Sequence, residues 1–126
     1  MLEARRAARY VFKREEIANV QLRIVFVDDV RMTDLNGKFM NHWRTTDVLT
    51  FPLERDSAGT IEAEIYVNSQ QAKRQAAGAG VTIRNEIARL IIHGVLHLLG
   101  YDDRTARLRK TMSAREEEYL KILRVA

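Results

Sequence analysis

The sequence predicts a small α+β fold in which a mixed β-sheet packs against helices. Three short segments alternate apolar and polar residues or are rich in β-branched residues, as strands are. Five longer segments carry apolar residues at helical spacing. No low-complexity tract, internal repeat or proline-rich linker divides the chain, so we expect residues 1–126 to form a single domain with its own core.

The first half of the chain predicts two helices and two strands. Small and large apolar residues recur at helical spacing over residues 3–18. Residues 21–27 alternate between polar and apolar at their start and include several β-branched residues, which predicts the first strand. Residues 33–42 are typical of a short helix with Thr33 as its N-cap. Residues 46–51 predict the second strand.

The second half predicts one more strand and three helices. A polar loop or hairpin connection is expected at residues 54–60, followed by a strand with clean alternation at 61–67. A helix over 68–78 begins with two residues that can each cap it and ends where glycines break the pattern. A long apolar helix over 82–99 and an amphipathic helix over roughly 104–123 complete the chain.

Composition narrows the classes of function. The 21 Lys and Arg residues exceed the 17 Asp and Glu residues, and the net charge of +4 weakly favours an anionic partner such as RNA. The absence of cysteine excludes disulfides, thiolate zinc sites and cysteine nucleophiles, and it is compatible with a reducing cytoplasm. No apolar stretch approaches the ~20 residues that span a membrane, and the N-terminal residues lack the apolar region of a secretion signal.

The most informative segment ends the long apolar helix. His93 and His97 lie four residues apart, so their rings project from one helix face. Gly100 can end the helix in a left-handed turn, and Asp103 follows six residues after His97. Two imidazoles and a carboxylate, with one coordination position open, describe a catalytic zinc site. The neighbouring Asp102 is an alternative third ligand, and two histidines satisfied by ordinary hydrogen bonds are the alternative to a metal site.

Gly94 follows the first histidine, at the position where the metalloprotease motif HExxH carries its general base. Peptide hydrolysis by that mechanism is therefore disfavoured. A glycine inside a helix costs roughly 1 kcal/mol relative to alanine. Either close packing of the backbone or a need for free space beside the metal would offset this cost.

A second segment precedes the second strand, where Arg44 and Asp47 flank the strand entrance. The residues alone do not connect either side chain to the histidines. Arg44 is interpreted as a surface cation and Asp47 as a turn or cap residue unless further information links them to the site.

Together the two segments resemble the YbeY family of bacterial ribosomal-RNA maturation endoribonucleases. Residues 93–102 match the signature HGxLHLxGYDH, and Asp103 replaces its last histidine. Asn36, Arg44 and residues 46–52 match the upstream pattern of the family. The resemblance implies a zincin-like fold, with a metal site on a central helix and the turn after it. This chain begins at the helix that a strand precedes in the family.

The resemblance also implies a function and site residues. The expected protein is a metal-dependent endoribonuclease specific for single-stranded RNA, which acts in ribosomal RNA maturation and ribosome quality control in the cytoplasm. Its expected partners are ribosomal RNA and the ribosome or small-subunit proteins, with no membrane and no DNA. The implied zinc ligands are His93, His97 and, by position, Asp103. Arg44 would contact a phosphate, so the implied catalytic residues are Arg44, His93 and His97. One zinc ion per chain is expected, although the Asp103 carboxylate moves the preference toward harder divalent metals.

Two other functions are compatible with the sequence. A non-catalytic, ribosome-associated RNA-binding module could hold a structural metal, but structural zinc usually has four protein ligands. A metalloprotease is the weaker alternative, because Gly94 stands where the glutamate base is needed.

Overall fold

The computed structural model describes residues 2–53 and 59–126, apart from the side chain of Leu2. The predicted connection at residues 54–60 therefore lies mostly outside the described residues. The described part contains five helices and three strands. In chain order these are α1 (Leu2–Arg14), β1 (Val20–Val27), α2 (Asp29–Met40), β2 (Val48–Pro52), β3 (Ile61–Asn68), α3 (Ser69–Ala79), α4 (Ile83–Leu98) and α5 (Ala106–Leu123).

The strands form one mixed sheet in the order β1-β3-β2, which confirms the predicted α+β class. β1 runs parallel to β3, and β2 runs antiparallel to it. On one face of the central strand, Ala63, Ile65 and Val67 are buried among the helices. The alternate residues of β2 and β3 point to the other face, where Phe39 of α2 contacts Phe51 edge-to-face at a centroid distance of 5.4 Å.

The core is built around α4, which packs against α1, α3, α5 and two strands. Nine of its sixteen residues are buried. Full burial of one large aliphatic side chain contributes about 1.5–3 kcal/mol, so this helix supplies much of the hydrophobic stabilisation. Thr82, predicted as the first residue of the helix, is its N-cap, because its side chain accepts a hydrogen bond from the Asn85 N–H. Within the described residues, no helix combines the length and the apolar character that crossing a membrane requires.

The predicted start of the second helix was wrong. The helix begins at Asp29, and its N-cap is Asp28, whose carboxylate accepts a 2.8 Å hydrogen bond from the Arg31 N–H. Thr33 lies inside the helix and donates its hydroxyl to the Asp29 carbonyl. Two acidic residues at a helix start satisfy free N–H groups and the helix dipole better than a threonine does.

Two other boundaries differ from the prediction. α1 ends at Arg14 instead of residue 18, because Glu16 and Asn19 adopt left-handed φ angles of 60° and 57°. β2 begins at Val48 instead of residue 46, since the Thr46 carbonyl accepts a side-chain hydrogen bond from β3. The remaining predicted boundaries agree with the structure to within two residues.

A buried polar cluster joins the end of β3 to the loop before β2. Asn68 is fully buried, and its Nδ2 donates to Asp29 Oδ1 at 2.7 Å and to Thr45 Oγ1 at 2.8 Å. Its Oδ1 accepts the N–H groups of Gln70 and Gln71, which caps α3 as predicted. One side chain therefore fixes a strand end, a helix start and the approach to β2.

The same cluster predicts a dependence of stability on pH. Hydrogen bonds from Arg74 and Asn68 lower the pKa of Asp29 from 3.8 to about 2. Because the folded pKa lies below the unfolded one, ionised Asp29 stabilises the fold above about pH 4, and this contribution is lost as the pH falls from about 4 to 2. We expect Asp29→Asn to be less stable at neutral pH and to lose less stability than the wild type between pH 4 and 2, as measured by urea unfolding.

Asp34→Asn is the matched control for Asp29→Asn, because Asp34 lies on the same helix with similar exposure and pairs only with Arg31 and Lys38 among the described residues. Parallel stability curves for wild type and Asp29→Asn would contradict the assignment.

Candidate metal centre

The last turn and a half of α4 carries the two histidines. His93 and His97 project from the same helix face, and their Nε2 atoms lie 3.1 Å apart. Their side chains are about one quarter and one third exposed, so solvent reaches them although most of the residues around them on the helix are buried. The predicted pairing of the two rings is therefore present in the structure.

Gly100 turns the chain back toward these rings. It adopts a φ of 97°, and its N–H donates to the His97 carbonyl, while the Tyr101 N–H donates to the Leu96 carbonyl. This pair of bonds is a Schellman motif, which a left-handed glycine completes. The turn brings Asp103 back beside the end of the helix that it follows.

Asp103 faces the histidines, and Asp102 does not. Asp103 Oδ2 lies 3.3 Å from His97 Nε2 and 3.6 Å from His93 Nε2. The Asp102 carboxylate instead accepts two hydrogen bonds from Arg104, one from its N–H and one from its Nε. Of the two neighbouring carboxylates, Asp103 is thus the one that can share a metal with the imidazoles.

The three donor atoms form a triangle of the size that a metal ion requires. Its sides are 3.1, 3.3 and 3.6 Å. For a tetrahedral ion with ligand bonds of 2.0–2.1 Å, two ligands are separated by about 3.3 Å. His93, His97 and Asp103 also form a group of donor atoms that lie within 4.8 Å of one another. The donor set therefore fits a divalent ion such as zinc, with room for a further ligand on the open side.

The turn that carries Asp103 is held by residues from both ends of the chain. The Glu15 carboxylate accepts hydrogen bonds from the Tyr101 hydroxyl at 3.1 Å and from the Tyr119 hydroxyl at 2.8 Å. Arg115 of α5 donates to the same Tyr101 hydroxyl. Burial, with Glu15 nearby, raises the pKa of Tyr119 to about 12, so this phenol remains a donor at neutral pH.

Glu116, which the sequence did not predict as a site residue, contacts His93 at Nδ1, the ring nitrogen that does not face His97 and Asp103. Glu116 is 6% exposed, and its Oε2 lies 2.6 Å from His93 Nδ1. A proton on Nδ1 leaves the lone pair of Nε2 free for a metal. The available signal was an acidic residue on the apolar stripe of α5, between Met112 and Leu120.

Carboxylates surround His93 on several sides. Burial lowers the pKa of His93, but the hydrogen bond to Glu116 and the charges of Glu116, Asp103 and Asp47 outweigh it and raise this pKa above 6.5. The negative potential that favours a protonated imidazole also favours a metal cation. Asp47, which the sequence did not connect to the histidines, is therefore part of their electrostatic environment.

The histidines and Asp103 line one wall of an open cleft of about 450 Å³. The opposite wall is β2 and the two residues before it. The lining residues are Thr46, Asp47, Val48, Leu49, Thr50, Pro52, His93, His97, Leu98 and Asp103. A strand edge thus runs alongside the three donor atoms.

Close packing accounts for the glycine between the histidines. A Cβ atom on Gly94 would lie 3.0 Å from both Ile65 Cδ1 and Thr50 Oγ1. These contacts are with the sheet, so the glycine lets α4 approach β2 and β3 closely. Of the two explanations offered by the sequence, the structure favours packing.

Arg44 lies on the exposed loop before β2 and is not among the residues that line the cleft. Its carbonyl accepts a hydrogen bond from Asn36 Nδ2 at 3.0 Å, which fixes the backbone of the loop. Among the described residues, its guanidinium has no hydrogen-bond or ion-pair partner. The structure brings together His93, His97 and Asp103 and leaves Arg44 outside that group.

Comparison with known proteins connects this arrangement to one family. The family described as "Endoribonuclease YbeY" matches residues 2–124. A protein named Endoribonuclease YbeY from Pelotomaculum thermopropionicum is 38% identical over 122 residues, which cover 91% of this chain and 80% of that protein. A protein of the same name from Chlorobaculum tepidum is 34% identical over 116 residues, which cover 92% of this chain and 83% of that protein.

A solved structure is similar along nearly the whole chain. The solution structure of TM1509 from Thermotoga maritima aligns with a TM-score of 0.65 and 30% identity, covering 96% of this chain and 81% of that one. The family match over residues 2–124 includes the helix that carries the histidines and the sheet beside it. The chain belongs to the endoribonuclease YbeY family.

Proposed function

We propose that this protein is a metal-dependent endoribonuclease that cleaves single-stranded RNA. We further propose that residues 1–126 act as one domain in the cytoplasm, in ribosomal RNA maturation and ribosome quality control, with the ribosome or small-subunit proteins as partners. The observation that carries the proposal is the convergence of His93, His97 and Asp103 on one point in an open cleft. Membership of a family named for endoribonuclease activity supports the choice of RNA as substrate.

His93, His97 and Asp103 would hold the metal, with one zinc ion per chain. Two imidazoles and a carboxylate are a donor set that catalytic zinc sites use, and the carboxylate oxygen also suits harder divalent ions. When bound, a divalent ion supplies Lewis-acid chemistry, which acidifies water and polarises a phosphodiester. Three protein ligands with an open side favour a catalytic role over a structural one.

Two further groups of the chain would assist. Glu116 accepts the Nδ1 proton of His93, and this hydrogen bond keeps the ring oriented and its Nε2 aimed at the metal position. Arg44 is an exposed cation on the loop that leads to the cleft wall, where its guanidinium would bind an RNA phosphate. Gly94 leaves the position after His93 without a general base. Activation of water would therefore depend on the metal that the three ligands hold.

The first prediction concerns the third ligand. We expect His97→Ala and Asp103→Asn each to lose both the bound metal and the cleavage of single-stranded RNA. Asp102→Asn is the matched control, because Asp102 binds Arg104, and it should retain metal and activity. Metal content by atomic absorption and cleavage of a labelled oligonucleotide check the result. Cleavage by metal-free His97→Ala would refute the proposal.

The second prediction concerns Glu116. Replacing it with glutamine keeps its volume but removes the charge that orients and polarises His93. We expect Glu116→Gln to weaken zinc binding by about 10–100-fold, as measured by competition with a chromogenic chelator. Glu117→Gln, on the exposed side of the same helix, is the control and should bind zinc like the wild type. Equal zinc affinities for the two variants would remove Glu116 from the site.

The third prediction concerns Arg44. If its guanidinium contacts a phosphate, Arg44→Ala should weaken RNA binding to a similar extent for every sequence and lower the slope of log K against log salt by about 1. The zinc content should not change, because the side chain lies outside the donor group. Fluorescence anisotropy at several salt concentrations measures both quantities. An unchanged salt slope would show that Arg44 contacts no phosphate.

A further inference from the structure

The strand beside the metal ligands is an edge strand. β2 pairs with β3 on one side, and within the described residues it pairs with no other strand. Its residues form the wall of the cleft opposite His93, His97 and Asp103. A substrate that fills this cleft beside the three donor atoms therefore lies next to β2.

The register determines which backbone groups face this cleft. The Asn68 N–H donates to the Asp47 carbonyl at 2.8 Å, and the Leu53 N–H donates to the Glu62 carbonyl at 2.7 Å. Between these two bonds the antiparallel pairing continues without a break. Hydrogen-bonded and non-hydrogen-bonded pairs alternate in such a ladder. It follows that Val48, Thr50 and Pro52 direct their backbone polar groups away from β3. We call these outward groups of the three residues the free edge of β2.

The free edge of β2 is poor in donors. Pro52 has no N–H group. The Val48 N–H already donates to Asp47 Oδ1 at 2.8 Å. The Thr50 N–H is the one donor that remains, whereas the carbonyls of all three residues are available as acceptors. Among the described residues, none of these three carbonyls has another partner.

The excess of hydrogen-bond acceptors over donors on the free edge of β2 favours some classes of ligand over others. A peptide that added as a further strand would need alternating donors and acceptors, and two of the three donors are missing. A ribose 2′-hydroxyl can donate to a carbonyl, whereas DNA has no such group. A phosphate oxygen can accept the single N–H.

We propose that the free edge of β2 recognises the sugar–phosphate backbone of RNA in the cleft. The outward carbonyls accept hydrogen bonds from ribose 2′-hydroxyl groups, and the Thr50 N–H donates to a phosphate oxygen. This assignment rests on the proposed endoribonuclease function, and it gives that function a structural basis for choosing RNA over DNA.

The test compares three oligonucleotides of one unstructured sequence: RNA, its 2′-fluoro analogue and DNA. Anisotropy with the zinc-loaded protein, read before measurable cleavage, gives the three dissociation constants. The 2′-fluoro sugar resembles ribose in shape but cannot donate a hydrogen bond. We expect RNA to bind about fivefold more tightly than both analogues, as one net hydrogen bond allows. RNA and the 2′-fluoro analogue binding equally would overturn the proposal.

A backbone variant tests the Thr50 N–H separately. Thr50→Pro removes this donor, and the sheet already accommodates a proline two residues later at an equivalent position. We expect it to weaken RNA and DNA binding by the same factor, because both carry phosphates, and by more than Thr50→Val, which keeps the N–H. Unchanged binding by a folded Thr50→Pro protein with its zinc in place would exclude this contact. If the variant does not fold, the three oligonucleotides still decide the question.

Different outcomes would exclude the proposal for the free edge of β2 and the proposed function. If the wild-type protein cleaves RNA but binds RNA, the 2′-fluoro analogue and DNA equally, the proposal for the free edge of β2 is wrong and the proposed function stands. If the zinc-loaded protein neither binds nor cleaves RNA, both are wrong.

Discussion

The close approach of α4 to the sheet is the constraint on which the site depends. Gly94 allows it, because any larger residue would meet Ile65 and Thr50 at a distance of 3.0 Å. The approach buries the apolar faces of the helix and the central strand against each other. It also sets His93 across from β2, so the two histidines with Asp103 and the strand form two walls of one cleft.

Buried charge around the helix is balanced by pairing. Arg89 of α4 lies within ion-pair distance of Glu86, Glu116 and Glu117. Burial raises the pKa of Glu86, which accepts a hydrogen bond from Gln75. These contacts let α5 bring the Glu116 carboxylate to His93 without leaving its charge unpaired in the core. The candidate metal centre thus has a layer of ion pairs beside it.

Local patterns predicted the parts of the fold that depend on local chemistry. The alternation at 61–67, the four-residue spacing of His93 and His97 and the left-handed turn at Gly100 all appear as expected. Such patterns do not predict contacts between elements that lie far apart in the sequence. Glu116 reaches His93 only because α5 packs on α4, and the free edge of β2 exists only through its register with β3. Periodicity also gives no direction for an exposed loop side chain, which is why the sequence could not relate Arg44 to the histidines.

The hydrogen bonds of Glu15 and Glu116 link the site to the order in which the chain is synthesised. Glu15 lies near the start of the chain, whereas Tyr119 and Glu116 lie near its end. A ribosome releases the chain from its N-terminus, so a nascent protein holds both histidines before either α5 residue can pack against them. The oriented ring of His93 and the supported turn at Asp103 therefore form only after α5 has been synthesised and has packed, although both histidines precede that helix in the chain.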